Sequence, residues 1–210
     1  MDVNFALSSF ITLFIIVDPI VNVPVFMAIL TNHNKNDRKK MVKQAVIIAA
    51  IVLMIFTLAG DVIFGYLNIE MYSFRIAGGL LLFIISIEML FGRRPHTKSS
   101  VEEEEEALHK EDIVVTPLAV PLLTGPGAIT TGIVLFNAAD DVVSKSFLFF
   151  DIGLVYLISY FILSRSERAF EILGKTGTMV IVRIMGLLLS AIAIQFIITG
   201  LEEVIIEIFS

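Results

Sequence analysis

The chain has 210 residues, of which 57% are hydrophobic and only 17% are charged, far more apolar than a soluble domain of this length can keep off its surface. The composition therefore predicts a membrane protein. The net charge of −6 owes much to one glutamate run and gives no reason to expect a nucleic-acid partner, and the lack of cysteine excludes disulfides and thiolate metal sites.

Six apolar segments are long enough to cross a bilayer as a helix, which needs about 20 residues. They cover residues 4 to 30, 41 to 66, 72 to 92, 113 to 137, 146 to 164 and 178 to 201. The first segment lacks a basic flank and a small-residue cleavage site, so we expect a retained span rather than a signal peptide. None of the segments alternates in polarity, which argues against a β-barrel.

Lysine and arginine are distributed unevenly among the connections. The connections after the first, third and fifth spans carry five, four and three of them, whereas the opposite side has only Lys145, with Arg75 just inside a span end. Because basic residues are retained on the cytoplasmic side, we predict a multi-pass protein of the inner (cell) membrane with both termini outside. The longest cytoplasmic connection, with its run from Glu102 to Glu106, is expected to be a solvated linker of unassigned role.

The third and sixth spans match each other at an offset of 108 residues. RIAGGLLLFIISIEMLFG from Arg75 and RIMGLLLSAIAIQFIITG from Arg183 share the arginine and two glycines in register. This match predicts two three-span repeats, 1–95 and 113–210, joined by a charged cytoplasmic linker at 96–112. Since each repeat has an odd number of spans, the second is inverted relative to the first, an arrangement typical of secondary transporters.

The first span is interrupted near its middle by VDPIVNVPVF. Pro19 and Pro24 each remove a backbone N–H and clash with the preceding turn, so the helix is expected to break there. Asn22 is the expected N-cap of the second half-helix. Unpaired backbone survives in hydrocarbon only where it is buried in protein or lines a cavity, so the break indicates a site.

The fourth span carries a corresponding interruption, PLLTGPGAITTG. Pro121 and Pro126 disturb its helix, and either Thr124 or Gly125 is expected to cap the half-helix that follows. The N-terminus of a helix carries about half a positive charge and suits a carboxylate.

Placing the carboxylate of Asp18 at this depth costs about 3 kcal/mol on insertion scales. Three roles remain open for this residue. It caps the freed N–H groups of Val21 and Asn22 as an internal strut, or it takes up the coupling proton, or it holds a substrate ammonium. Thr130, Thr131 and Gln195 are lesser candidates for lining the site.

Other ionisable residues have simpler interpretations. Asp61 is expected to pair with Arg75, and Arg183 with Glu167 or Glu171. The three histidines lie in cytoplasmic connections, so no metal site and no cofactor are expected. An intramembrane enzyme needs a paired acid, base or nucleophile at one depth, and because only Asp18 is recognised there, no enzymatic activity is expected.

The two interrupted segments resemble known signatures. DPIVNVPVF, from Asp18 to Phe26, is similar to the DPxGNxPxF motif of the MarC family, which includes the SnatA-type small neutral amino acid transporters, and PLLTGPGAI, from Pro121 to Ile129, resembles its second motif. The resemblance covers the whole chain. Val21 stands where the family usually has glycine, which predicts a tighter first break.

The resemblance implies a transporter of glycine, alanine and similar amino acids, driven by the proton gradient. The residues carried over by the two motifs are Asp18, Pro19, Asn22, Pro24, Thr124, Gly125, Pro126 and Gly127.

The sequence as a whole predicts an all-α integral membrane protein with six transmembrane helices in two inverted repeats, helices 1 and 4 being broken at mid-membrane. The predicted function is secondary active transport of glycine, alanine or serine, coupled to protons or sodium, with alternating access to a midplane site. The solute carboxylate is expected to meet the N–H groups of Gly127 and Ala128, and its ammonium Asp18 or Asn22. An exporter of another small hydrophobic or anionic solute is the alternative, and a homo-oligomer is left open.

Overall fold

A computed structural model describes residues 3–30, 33–92 and 113–209, and these ranges contain helices but no β-strand. The predicted linker at 96–112, with its glutamate run, lies outside the described residues. The helices in chain order are α1 (Val3–Val17), α2 (Val23–Ile29), α3 (Lys35–Leu67), α4 (Met71–Leu90), α5 (Val114–Leu123), α6 (Pro126–Ala138), α7 (Val142–Leu163) and α8 (Ser166–Phe209).

Four helices of the described chain are long and apolar enough to cross a membrane. They lie in α3 (Lys35–Gly60), α4, α7 and α8 (Thr176–Phe209), and the bent pair of α5 and α6 makes a fifth if it is counted as one span. The apolar part of α1, Asn4–Val17, is shorter than a span. The described part of the chain is therefore all-helical, with four or five candidate spans.

Local sequence signals explain where several helices begin and bend. The side chain of Asn34 accepts hydrogen bonds from Asn36 N and Asp37 N and so caps α3. Asp141 caps α7 in the same way, and hydrogen bonds from the side chain and backbone of Ser144 hold the pKa of Asp141 below its usual range. Helix α8 is kinked at Gly174, whose φ of 61° suits glycine.

Exposed apolar side chains follow helical spacing along the outer faces of the bundle. On α3, Ile47, Ile51, Ile55 and Leu58 are 45–60% exposed, whereas Leu53 is fully buried. A helix with an apolar outer stripe as well as an apolar inner one suits a lipid environment better than water.

Helices α4 and α8 pack antiparallel through glycine. A Cβ on Gly79 would lie 2.8 Å from Ala193 O, one on Gly186 would lie 2.8 Å from Met89 Cβ, and one on Gly200 would lie 3.0 Å from Tyr72 O. Small residues allow backbones to approach this closely in membrane helix pairs.

The same close contact forms an ion pair that the sequence did not predict. Arg75 is buried and its guanidinium bonds Glu203 of α8, while the side chain of its expected partner, Asp61, lies outside the described residues. Gly79 is on the face of α4 that meets α8, and Arg75 lies one turn before it, which explains the pairing. Glu167, an expected partner of Arg183, instead bonds Arg38 at the other end of the bundle.

We predict that Gly79→Ala destabilises the protein by about 1–3 kcal/mol, because the added methyl group meets the α8 backbone. Gly153→Ala in α7 is the matched control. A Cβ there meets nothing within 4 Å, and alanine favours a helix. Thermal unfolding in detergent measures both variants, and equal melting temperatures would contradict the described α4–α8 contact.

Candidate functional site

The first predicted break separates α1 from α2. Asp18 adopts a left-handed conformation with φ of 48°, and regular helix resumes only at Val23. The Asp18 carboxylate is 2% exposed, and its Oδ1 accepts a hydrogen bond from Val21 N at 3.3 Å. This contact is the geometry expected of a strut that pairs freed backbone.

Asn22 joins the two breaks. It occupies the N-cap position of α2, with Pro24 in the first turn as predicted, but its side chain makes no capping bond. Instead Nδ2 donates to Val17 O and to Leu122 O, both at 3.2 Å. Because both partners are carbonyls, they require the NH₂ end of the amide at this place.

The second break lies between α5 and α6, which meet at 56°. Thr116 and Val120 of α5 are non-helical, and each precedes a proline, which disfavours the helical conformation of the residue before it. Gly125 rather than Thr124 is the N-cap of α6, and Pro126 follows it.

Helix geometry leaves the N–H groups of Gly127 and Ala128 without an intrahelical acceptor. The first bond of the helix runs from Ile129 N to Gly125 O at 3.1 Å. Both Gly127 and Ala128 are buried, so these two donors point into the protein interior. They form the anion-attracting end that the sequence predicts.

Thr124 is held by two other helices. Its hydroxyl donates to Ala49 O of α3 at 2.8 Å and contacts the hydroxyl of Tyr156 in α7. Tyr156 is 2% exposed and also lies 3.3 Å from Leu123 O. Sequence reasoning missed Tyr156, although a tyrosine inside an apolar span requires a hydrogen-bond partner when it is buried.

A cavity of about 10 Å³ lies beside the second break. It is lined by Gly125, Gly127 and Ala128 together with Leu82, Ile85 and Leu189 from α4 and α8. That volume holds about one water molecule. In this conformation the helix pair α4–α8 therefore closes over the α6 N-terminus.

The lesser candidates separate into two groups. Thr130 and Thr131 are buried on α6; Thr130 packs against Gly78, and Thr131 Oγ1 has no hydrogen-bond partner among the described residues. Gln195 is exposed on α8 and bonds Thr199 of the same helix, so it does not lie at the breaks.

Asp151 is a second buried carboxylate that the sequence interpretation overlooked. It lies within α7, is 4% exposed, and its Oδ2 is 2.5 Å from Ser9 Oγ of α1. The signal was present, since an acidic residue inside a predicted span is a functional candidate by default. Among the described residues, no group of three or more His, Asp or Glu side chains is placed to hold a metal ion.

The comparisons with known proteins agree with this architecture. The model of the family described as MarC family integral membrane protein matches residues 3–205. The chain belongs to the MarC family. This membership, together with the apolar helices, makes it a multi-pass membrane protein.

Individual relatives of this MarC family chain match it over nearly their whole length. A UPF0056 membrane protein of Archaeoglobus fulgidus is 41% identical over 206 residues, covering 97% of this chain and 95% of the relative. The UPF0056 membrane protein YhcE of Escherichia coli is 36% identical over 195 residues, covering 93% and 91%. No solved structure gives a significant match.

We predict that Asn22→Leu lowers the stability of this MarC family protein by about 2 kcal/mol or more, because two buried carbonyls lose a donor. Asn137→Leu is the control, since Asn137 is exposed at the end of α6 and its Nδ2 donates to Ile133 O of the same helix. Its cost is expected to stay within about 0.5 kcal/mol. Unfolding in detergent compares the two, and similar losses would remove the bridging role of Asn22.

Proposed function

We propose that the protein is a secondary active transporter of small neutral amino acids, such as glycine, alanine and serine, coupled to protons or sodium. The observation that carries this proposal is the pair of helix breaks joined by Asn22, with the buried N-terminus of α6 beside them. Discontinuous helices that meet in this way commonly form the solute site of secondary transporters.

The proposed topology has six spans in two inverted repeats. In it, α1 with α2 forms one span and α5 with α6 forms another, in addition to α3, α4, α7 and α8. Two observations support the repeat. The prolines of the two breaks match at an offset of 102 residues, Pro19 to Pro121 and Pro24 to Pro126. Helices α4 and α8, which match at an offset of 108, pack antiparallel against each other.

The chemistry around the breaks suits a zwitterion. The carboxylate would accept hydrogen bonds from Gly127 N and Ala128 N, and the ammonium would lie toward Asp18. Binding would require α4 and α8 to move away from α6, since the present cavity holds only about one water. Leu82 and Ile85, which line the cavity, would favour a small side chain.

A wider cavity supports alternating access. It measures about 200 Å³ and lies where α2 and α3 meet the connection between α7 and α8, the end assigned to the cytoplasm by the positive charges. Phe26 lines it and is fully buried, and Phe26 N bonds Asn22 O one turn away. Such a cavity would serve as an inner vestibule that Phe26 separates from the first break.

We predict that Asp18→Asn abolishes gradient-driven uptake of glycine or alanine by proteoliposomes, because the change removes the only ionisable group of the first break. Asp140→Asn, which alters an exposed carboxylate between α6 and α7, is expected to leave uptake unchanged. Radiolabelled uptake under an imposed proton or sodium gradient measures both.

Two outcomes would count against this assignment. Undiminished uptake by Asp18→Asn would leave Asp18 with the strut role alone. No uptake of any amino acid by the unaltered protein, together with thermal stabilisation by another hydrophobic or anionic solute, would favour the exporter alternative.

A further inference from the structure

The carboxyl of Asp151 lies in an apolar part of the bundle. It faces α1, which has no titratable side chain, and α2 and α6 have none either. Helix α3 carries none between Lys43 and Asp61, and α8 none between Arg183 and Glu202. On α7 itself the nearest titratable groups are Lys145, which lies over the Phe136 ring, and Tyr156, which lies at the second break. Among the described residues of these helices, no cation lies at this depth to offset a negative charge.

A charged carboxylate inside a membrane-spanning segment is energetically unfavourable unless it has a partner or reaches water. Burial disfavours the charged form unless hydrogen bonds or an opposite charge compensate. The single compensating donor among the described residues is the Ser9 hydroxyl.

Ser9 has one proton and two oxygen neighbours. Its Oγ lies 2.5 Å from Asp151 Oδ2 and 3.0 Å from Ala6 O. If Asp151 is ionised, the hydroxyl donates to only one of them, and the other contact places two acceptors against each other. If Asp151 is protonated, its O–H donates to Ser9 Oγ, and the Ser9 O–H donates to Ala6 O. Only the protonated carboxyl gives each contact a proton of its own, whereas an ionised carboxylate leaves the single Ser9 proton to be shared between two acceptors.

We propose that Asp151 carries a proton in this conformation and is a proton-binding site of the transport cycle, an assignment that rests on the transporter function proposed above. Release transfers the proton from the carboxyl oxygen to water, which leaves a carboxylate between α1 and α7. That charge is stable only where water reaches it, so release favours separation of α1 from α7. Because α1 ends at the first break, the same movement shifts one wall of the solute site.

Infrared spectroscopy of the protein in lipid nanodiscs at neutral pH tests the protonation state without requiring transport. The carbonyl stretch of a protonated carboxyl is expected in the unaltered protein and is expected to be lost in Asp151→Asn. It should shift in frequency in Ser9→Ala, which removes the hydrogen-bond acceptor, and remain in Asp140→Asn. If the Asp151→Asn spectrum retains every protonated-carboxyl band of the unaltered protein, the proposal is overturned.

Transport assays test the coupling role separately. Asp151→Asn is expected to exchange labelled for unlabelled solute when the pH is the same on both sides of the membrane. Its accumulation of solute under a proton gradient is expected to fall at least tenfold. Accumulation equal to that of the unaltered protein would refute a coupling role for Asp151. If the unaltered protein accumulates no solute, the proposed function fails, and the infrared comparison alone decides whether Asp151 is protonated. Size-exclusion profiles identify any variant that fails to fold.

Discussion

The pairing of backbone polar groups at two helix breaks is the constraint on which the rest of the structure depends. Prolines remove N–H groups and separate carbonyls from their helical partners, and an apolar surrounding offers no water to replace them. Asn22 pairs Val17 O and Leu122 O, Asp18 pairs Val21 N, and Thr124 pairs Ala49 O. These bonds tie the first break to the second and the second to α3, so neither break is an independent feature. The N–H groups of Gly127 and Ala128 lie beside them, which concentrates the polar backbone at one place.

The positions of the breaks could be predicted from sequence because proline acts locally. Pro19 and Pro121 disturb the helix that precedes each break, Pro24 and Pro126 suit the first turn of the helix that follows it, and the structure has breaks at both motifs. The roles of side chains depend on distant neighbours and were predicted less well. Asn22 was expected to cap its own helix, yet its amide donates to Leu122 O, 100 positions away in the chain, as well as to Val17 O. The glycine contact between α4 and α8 brings Glu203 to Arg75, a pairing that the sequence did not predict.

Asp151 and Tyr156 were missed for a related reason. Both lie in an otherwise apolar span, and although their polar groups were visible there, nothing local in the sequence shows that α7 turns them toward α1 and the second break. The contacts Ser9–Asp151 and Thr124–Tyr156 join helices that are far apart in the chain. Helix α7 thus supplies polar partners to both halves of the molecule, a role that hydropathy alone does not reveal.

The arrangement of tight and loose contacts explains how such a bundle could open. The glycines of α4 and α8 bring the two backbones into contact, so separating this pair would expose backbone as well as side chains. Leu82, Ile85 and Leu189 of this pair close the cavity at α6 by side-chain contact alone. In the proposed transport cycle, the Asp151–Ser9 bond between α1 and α7 depends on the proton assigned to Asp151. The contacts that this proposed cycle would break are the apolar and protonation-dependent ones, while the backbone hydrogen bonds at the two breaks would persist throughout.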